Sequence, residues 1–214
     1  MVQLSVGRSE PPGRGAEERR REILAAASRV FRRKGFAATG MRDVAAELGM
    51  TAGNLYYYFA GKQEILAFCQ EATLDELLSR AGGIVALELP AAERLALLVR
   101  AHVTCLNETY PGSLAHLEIE ALAPARRAPL ASKRRRYERT IGALIAAGVA
   151  SGELRAVDPR LATLALLGAL NWTVKWFSPA GALGAAAVGD EFAHLFLDGL
   201  RAHGTSYAGQ ESAK

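Results

Sequence analysis

The sequence predicts an all-α protein of about nine helices, and three observations carry that expectation. Apolar residues recur at spacings of three and four along most of the chain, the stripe of a 3.6-residue helix. Alternating β-branched runs bounded by hairpin turns are nearly absent. Gly and Pro fall where the periodicity restarts, as at Gly35, Gly49, Pro90, Pro111-Gly112, Pro124, Gly152 and Pro159. With 214 residues, half of them apolar, the chain can bury one or two sizeable cores.

The first 16 residues, with Pro11-Pro12 and several glycines, read as a flexible arm. Arg19 to Lys34 then reads as a helix with Ile23, Leu24, Ala27, Val30 and Phe31 on one face, stopped by Gly35. Thr39 can cap a second helix carrying Met41, Val44, Ala45 and Leu48, and Gly49 supplies the positive φ that ends it. Thr51 caps a third, whose inward residues Leu55, Tyr58 and Phe59 leave Ala52, Gly53, Asn54, Tyr56 and Tyr57 facing outward. Two short helices around a tight turn are the layout of a helix-turn-helix DNA reader, although an ordinary helical corner with tyrosines in the core has the same pattern. The flanking sequence favours the reader. Residues 17–62 make a three-helix unit of the size such modules have, with Ile23, Phe31, Phe36, Val44, Leu48, Leu55 and Phe59 as its expected core.

Charge is segregated in the same direction. Residues 1–62 hold 11 Lys and Arg against 6 Asp and Glu, a net +5, whereas residues 63–214 are at −1. A basic excess on the reader suits phosphate neutralisation, which releases counterions and makes binding salt-sensitive.

Residues 63–204 read as a second, helical unit, and 205–214 as a flexible tail. A long helix from Gln63 to about Gly82-Gly83 leads out of the reader and is a natural lever. Further helices are expected over Ala91–Glu108, Ser113–Leu122, Pro129–Ala150, from Asp158-Pro159 to Phe177, and from about Ala186 to Ala202. The helix from Pro159 is apolar on nearly all sides, as expected where one face meets its own core and another a partner.

Several classes are disfavoured. Nothing resembles a nucleophile elbow, a phosphate-cradling glycine loop or a paired acid and base, so no enzyme is expected. Cys69 and Cys105 lack CxxC spacing and the four histidines are scattered, so neither a metal site nor a cofactor is expected. No apolar run reaches about 20 residues without charge and the first residues lack an export core, which predicts a cytoplasmic protein.

The N-terminal third resembles the tetracycline-repressor-like (TetR) transcriptional regulators. The resemblance lies in Ile23, Ala26-Ala27, Phe31, Lys34-Gly35-Phe36, Thr39, Met41, Asp43-Val44-Ala45, Leu48-Gly49, Thr51, Gly53-Asn54-Leu55-Tyr56, Phe59, Lys62 and Glu64. It implies that Arg42 and the head of the third helix, Ala52 to Asn54, approach base edges, that Thr39, Tyr56, Tyr57 and Lys62 contact phosphates or flank the groove, and that the capping Thr51 belongs to the same DNA-binding set. Ala52 and Gly53 carry no hydrogen-bonding side chain, so direct readout would rest on Arg42 and Asn54. The last two helices would form a homodimer interface, with Leu164, Leu167, Phe192, Leu195, Phe196 and Gly199, that presents two readers to a palindromic duplex operator. The implied protein is a repressor released by a small hydrophobic effector. The alternative is a sequence-blind architectural DNA binder, which the large apolar C-terminal part disfavours.

An effector pocket has candidates. Asn171 is costly to bury in an apolar helix unless its amide finds partners. A pocket roofed by Trp172 or Trp176, with His102, Leu106, Tyr110, Glu118 and Tyr137 nearby, would supply them; Asn171 capping a neighbouring helix, or pairing across a dimer, would do so equally. The basic run Lys133 to Arg136, with Arg134 at its centre and Tyr137, Glu138 and Arg139 after it, reads either as a solvated face or as a phosphate-binding cluster. With the segment GALNWTVKW it resembles a TetR subgroup that controls fatty-acid or sterol breakdown in response to acyl-coenzyme A thioesters. There the arginines would hold the nucleotide phosphates and an apolar pocket the acyl chain.

Overall fold

Gly35, Gly49 and Gly152 sit at φ 78°, 62° and 79°, and each closes a helix at a point where the hydrophobic period breaks. In this computed structural model, which describes residues 14–110 and 122–201, the described chain is all-α. Its helices are α1 (Arg14–Lys34), α2 (Met41–Glu47), α3 (Ala52–Tyr58), α4 (Lys62–Val85), α5 (Ala91–Thr104), α6 (Pro124–Ala150), α7 (Pro159–Trp176) and α8 (Ala185–Leu200). The helix expected from Ser113 lies outside the described residues, as do most of the N-terminal arm and the tail beyond residue 201. No helix among the described residues is long and apolar enough to cross a membrane.

Three boundaries differ from expectation for physical reasons. α1 begins at Arg14, inside the segment read as an arm. α2 is capped by Gly40, whose N–H donates to the Asp43 carboxylate at 2.8 Å, while the buried Thr39 hydroxyl donates instead to the Gly35 carbonyl at 2.7 Å. α6 opens at Pro124, where a missing N–H removes no helical bond, and runs through Pro129. Pro129 is only in the second turn, and Leu130 beside it is anchored in the reader's core.

α5 continues into one π-helical turn, Cys105–Thr109. The inserted residue turns Asn107 into the interior. Glu108 accepts a bond from the Ala185 N–H at 3.0 Å and so caps α8. α8 packs closely along α5 because Gly189 lies over the Arg100 backbone, where a Cβ would meet Arg100 Cα at 2.8 Å.

Among the described residues, two hydrophobic clusters build the fold. The first joins Ile23, Phe31, Phe36, Val44, Leu55 and Phe59 to Ile65, Leu66, Cys69 and Leu74 of α4, and takes Leu122 and Leu130 from further along; Leu48 packs on its edge. The second gathers Leu77 and Ala81 of α4 with the apolar faces of α5 to α8. α4 thus contributes its first half to one core and its second half to the other.

Candidate functional site

α3 is seated by Leu55 and Phe59, both fully buried, and its start is fixed by the Thr51 hydroxyl, which accepts from the Asn54 N–H at 3.2 Å. That seating presents Gly53, Asn54, Tyr56 and Tyr57 to solvent, with Tyr57 85% exposed, and Ala52 at half-burial. Arg42 on α2 is exposed as well. A Cβ on Gly53 would meet nothing closer than 3.8 Å, so packing within the chain leaves room for one. The head of α3 and Arg42 form a surface able to approach a major groove with a guanidinium, a carboxamide and bare backbone.

Two of the residues expected to contact phosphates or flank the groove make contacts within the chain. Lys62 donates all three of its ammonium protons to backbone carbonyls, Phe36 at 3.0 Å, Ala37 at 3.0 Å and Thr39 at 2.9 Å, and stands 4.8 Å over the Phe36 ring. Thr39 is 2% exposed. Both residues shape the α1–α2 connection. Much of the basic excess is likewise internal: Arg29 and Arg33 pair with Glu47, each at 3.0 Å, and Lys34 pairs with Asp43 at 2.6 Å. The Lys34 hydrogen bond, then the Gly40 N–H, hold the Asp43 carboxyl below its usual range; the bonds from Arg29 and Arg33 do the same for Glu47. Arg32 donates to the carbonyl of Phe177, the residue ending α7, and so links α1 directly to the C-terminal part.

The expected effector residues separate into three places. His102, Tyr137 and Asn171 come together: Asn171 Oδ1 lies 3.2 Å from His102 Nε2 and the Tyr137 hydroxyl 3.1 Å from His102 Nδ1. The pattern is that of a neutral ring, with Nε2–H donating to the amide oxygen and Nδ1 accepting from the phenol. Burial pushes the His102 pKa down to about 4, against the opposing Asn171 bond, and pushes the Tyr137 phenol up. Asn171 therefore finds its partner within its own chain. Leu106 is buried alongside in the next turn.

Tyr110 stands apart. It lines a groove of about 430 Å³ between α1 and α4 with Arg21, Leu24, Phe68 and Glu76, where burial, then Glu76, raise its phenol pKa. Trp172 and Trp176 do not roof a pocket: they are 57% and 50% exposed. The helical turn decides this, because Leu166, Leu167, Leu170, Thr173 and Val174 face inward and the stripe Leu161, Leu164, Gly168, Trp172, Trp176 points the other way. Leu167, expected at a dimer interface, belongs to the inward set and is 7% exposed. Leu164, Leu195 and Gly199 are exposed, and Phe192 and Phe196 half-buried. Arg134 is half-buried and already engaged within the chain, and Glu118 lies outside the described residues.

Asn107 and Thr173, buried and polar, are absent from the effector residues that the sequence suggests. Asn107 donates to the Val103 carbonyl at 2.9 Å and to Thr173 Oγ1 at 2.8 Å, while its Oδ1 is buried without a partner. The signal for Asn107 is its place four residues after the buried Val103, one turn further along the same face.

Residues 23–68 match the family described as bacterial regulatory proteins, tetR family, and residues 88–200 match the tetracyclin repressor-like C-terminal domain. The chain is 28% identical over 193 residues to the HTH-type transcriptional repressor KstR2 of Rhodococcus jostii, covering 87% of this chain and 93% of that one. The structure of the ketosteroid transcriptional regulator KstR2 of Mycobacterium tuberculosis superposes with a TM-score of 0.78 at 25% identity, over 86% of this chain and 96% of that one. PfmR, a TetR family transcriptional regulator from Thermus thermophilus, gives a TM-score of 0.75 at 34% identity, over 84% and 99%.

Proposed function

The chain belongs to the tetR family of bacterial regulatory proteins, and from that premise we propose that it is a homodimeric, effector-responsive repressor that binds a palindromic DNA operator in the cytoplasm. The observation that carries the reading is the presentation of α3: a capped helix, anchored by Leu55 and Phe59, offering Gly53, Asn54, Tyr56 and Tyr57 beside Arg42. Arg42 and Asn54 read base edges, the tyrosines flank the groove, and the chain acts by binding and not by catalysis.

Coupling follows from construction. α4 shares its two halves between the reader core and the C-terminal core, and Arg32 ties α1 to the end of α7, so a shift among α5 to α7 reorients the reader. The exposed stripe on α7, with Trp176 tilted against Phe192 of α8 at 6.2 Å between centroids and Phe192 stacked on Phe196 at 6.4 Å, is the surface a second copy covers. The effector has an apolar body, consistent with a ketosteroid regulator among the relatives, and an acyl-coenzyme A thioester is the form proposed. Its polar contact is the His102–Tyr137–Asn171 cluster, and the buried, unpaired Asn107 Oδ1 is a further acceptor. Differential affinity of a few kcal/mol between two reader spacings is enough to release DNA.

The test is a mobility shift on promoter fragments, including those beside the protein's own gene, with excess random duplex and then a series of acyl-coenzyme A thioesters. A complex that survives competition and dissolves with one thioester is expected. A complex lost to random duplex would indicate the sequence-blind binder, and a complex indifferent to all thioesters would remove that effector class.

A further inference from the structure

α1 closes with Arg29, Arg32, Arg33 and Lys34, which the fold uses in two directions. Arg29 and Arg33 pair with Glu47 and Lys34 with Asp43, all inside the reader. Arg32 turns the other way, and its guanidinium donates to the carbonyl of Phe177. Phe177 closes α7: its N–H donates to the Thr173 carbonyl at 2.8 Å, and its own carbonyl stands at the negative end of the helix dipole, where a cation is favoured. The acceptor is held firmly, because the Phe177 side chain is 4% exposed and packs in the C-terminal core.

The residue before it lies on the face proposed for the dimer. Trp176 is half-exposed and tilts against Phe192 of α8. One peptide unit therefore separates the surface that a second copy covers from the carbonyl that holds α1. The reader is also carried by α4, which α6 braces through Arg126 with Glu64 at 3.6 Å and Lys133 with Glu71 and Asp75 at 2.8 and 2.7 Å. The 24 residues of α4 span about 36 Å. A swing of about 5° about its far end moves the reader by about 3 Å, close to the rise of one base pair. A tie at the end of α1 restrains that swing.

Resting on the reading of a homodimer on a palindrome, we propose that Arg32 is a positioning residue that sets half-site spacing: its bond to the Phe177 carbonyl fixes the angle of each reader against the dimer face. One base pair added between half-sites shifts the second by about 3.4 Å and turns it by about 34° around the duplex. Two readers each held at both α1 and α4 match one spacing, and two readers held through α4 alone match several. Arg32 acts on the distance between half-sites and not on the bases read within each.

Selection from a random duplex library with the full-length protein tests this, using Arg32→Leu, Arg32→Lys and the control Arg33→Leu, which removes the same charge from a pair internal to the reader. Wild type and control should select one palindrome at one spacing. Arg32→Leu should select the same half-sites at several spacings, with its preference for the wild-type spacing over one a base pair longer reduced on the order of tenfold. Arg32→Lys, which carries the charge without the planar fork, should fall between the two, and it decides the matter where the Leu variant does not fold. A second readout needs no DNA: nitroxides on Ala38→Cys, exposed on the reader while Cys69 and Cys105 are buried, report the distance between the two readers. That distribution should broaden in Arg32→Leu and stay narrow in the control. A purely structural role would lower the melting temperature and weaken all spacings alike, and that result overturns the proposal. The two readings fail separately: a wild-type protein that selects no palindrome removes the homodimeric operator binder itself, whereas a palindrome selected with undiminished sharpness by the Arg32 variants keeps that binder and sinks only the role of Arg32.

Discussion

Lys62 Nζ donates to the Phe36 carbonyl at 3.0 Å while standing 4.8 Å above the same residue's ring, so one ammonium is held by both the backbone and the aromatic face of the α1–α2 connection. With two further carbonyls at 3.0 and 2.9 Å, its donors are used up. Lys62→Met keeps the stem and removes the charge. It should destabilise by about 1 to 3 kcal/mol, the worth of charge-assisted hydrogen bonds. DNA affinity should fall alike on all duplexes, with the slope of log affinity against log salt unchanged. A slope reduced by about one with an unaltered melting temperature would falsify this and restore Lys62 as a phosphate ligand.

Gly53 offers a test with opposite signs. Its site has room for a methyl group, and Ala in a helix is favoured over Gly by about 0.5 to 1 kcal/mol. Gly53→Ala should therefore raise the melting temperature slightly while weakening operator binding, because the backbone there needs to lie against the duplex. A variant that is more stable and binds equally well would show that α3 does not approach by this edge.

The reader was legible in the sequence because its signals are local. Positive-φ glycines at 35 and 49, the Thr51 cap and the Leu55–Phe59 seat each act within a few residues. The intrachain contacts of Lys62 were not legible, since its partners lie 23 to 26 residues away and a lysine beside a basic module looks the same in sequence whichever it contacts. Likewise α7 is apolar on nearly every side, so periodicity could not tell which aromatics face a partner; only packing showed that Trp172 and Trp176 point away from Asn171. The cost of burying an amide pointed to partners for Asn171 but left open whether they were His102 and Tyr137, a neighbouring helix end or a second copy; packing decides it.

His102 gives a pH prediction. Its imidazole is buried neutral, with the pKa lowered from 6.5 to about 4. Between those values the unfolded chain binds a proton that the folded chain refuses, so stability is fully present above pH 6.5 and declines as pH falls toward 4. The total is about 3 kcal/mol by linkage. Asp43 and Glu47, held below their usual range, lose their contributions only further down. Melting curves from pH 7.5 to 5 should show the decline, and His102→Gln should flatten it; an equal slope in both proteins would place the titrating group elsewhere.

The dimer prediction rests on surface that no single chain covers. Leu161, Leu164, Trp172, Trp176 and Leu195 are each at least half exposed, and a groove of about 540 Å³ lined by Leu161, Ala165, Leu195, Phe196 and Gly199 runs between α7 and α8. A contiguous apolar face of this kind marks an association surface in a globular protein. Leu195, at 70% exposure, contributes little to the chain's own core, so Leu195→Arg should leave the helical content and the reader intact. Across a two-fold axis the same change places a guanidinium in the apolar contact twice. Light scattering should report a monomer, and operator affinity should fall on the order of 100-fold or more, because each reader then binds its half-site without the effective concentration supplied by its twin. A variant that stays dimeric with full affinity would move the interface off this face.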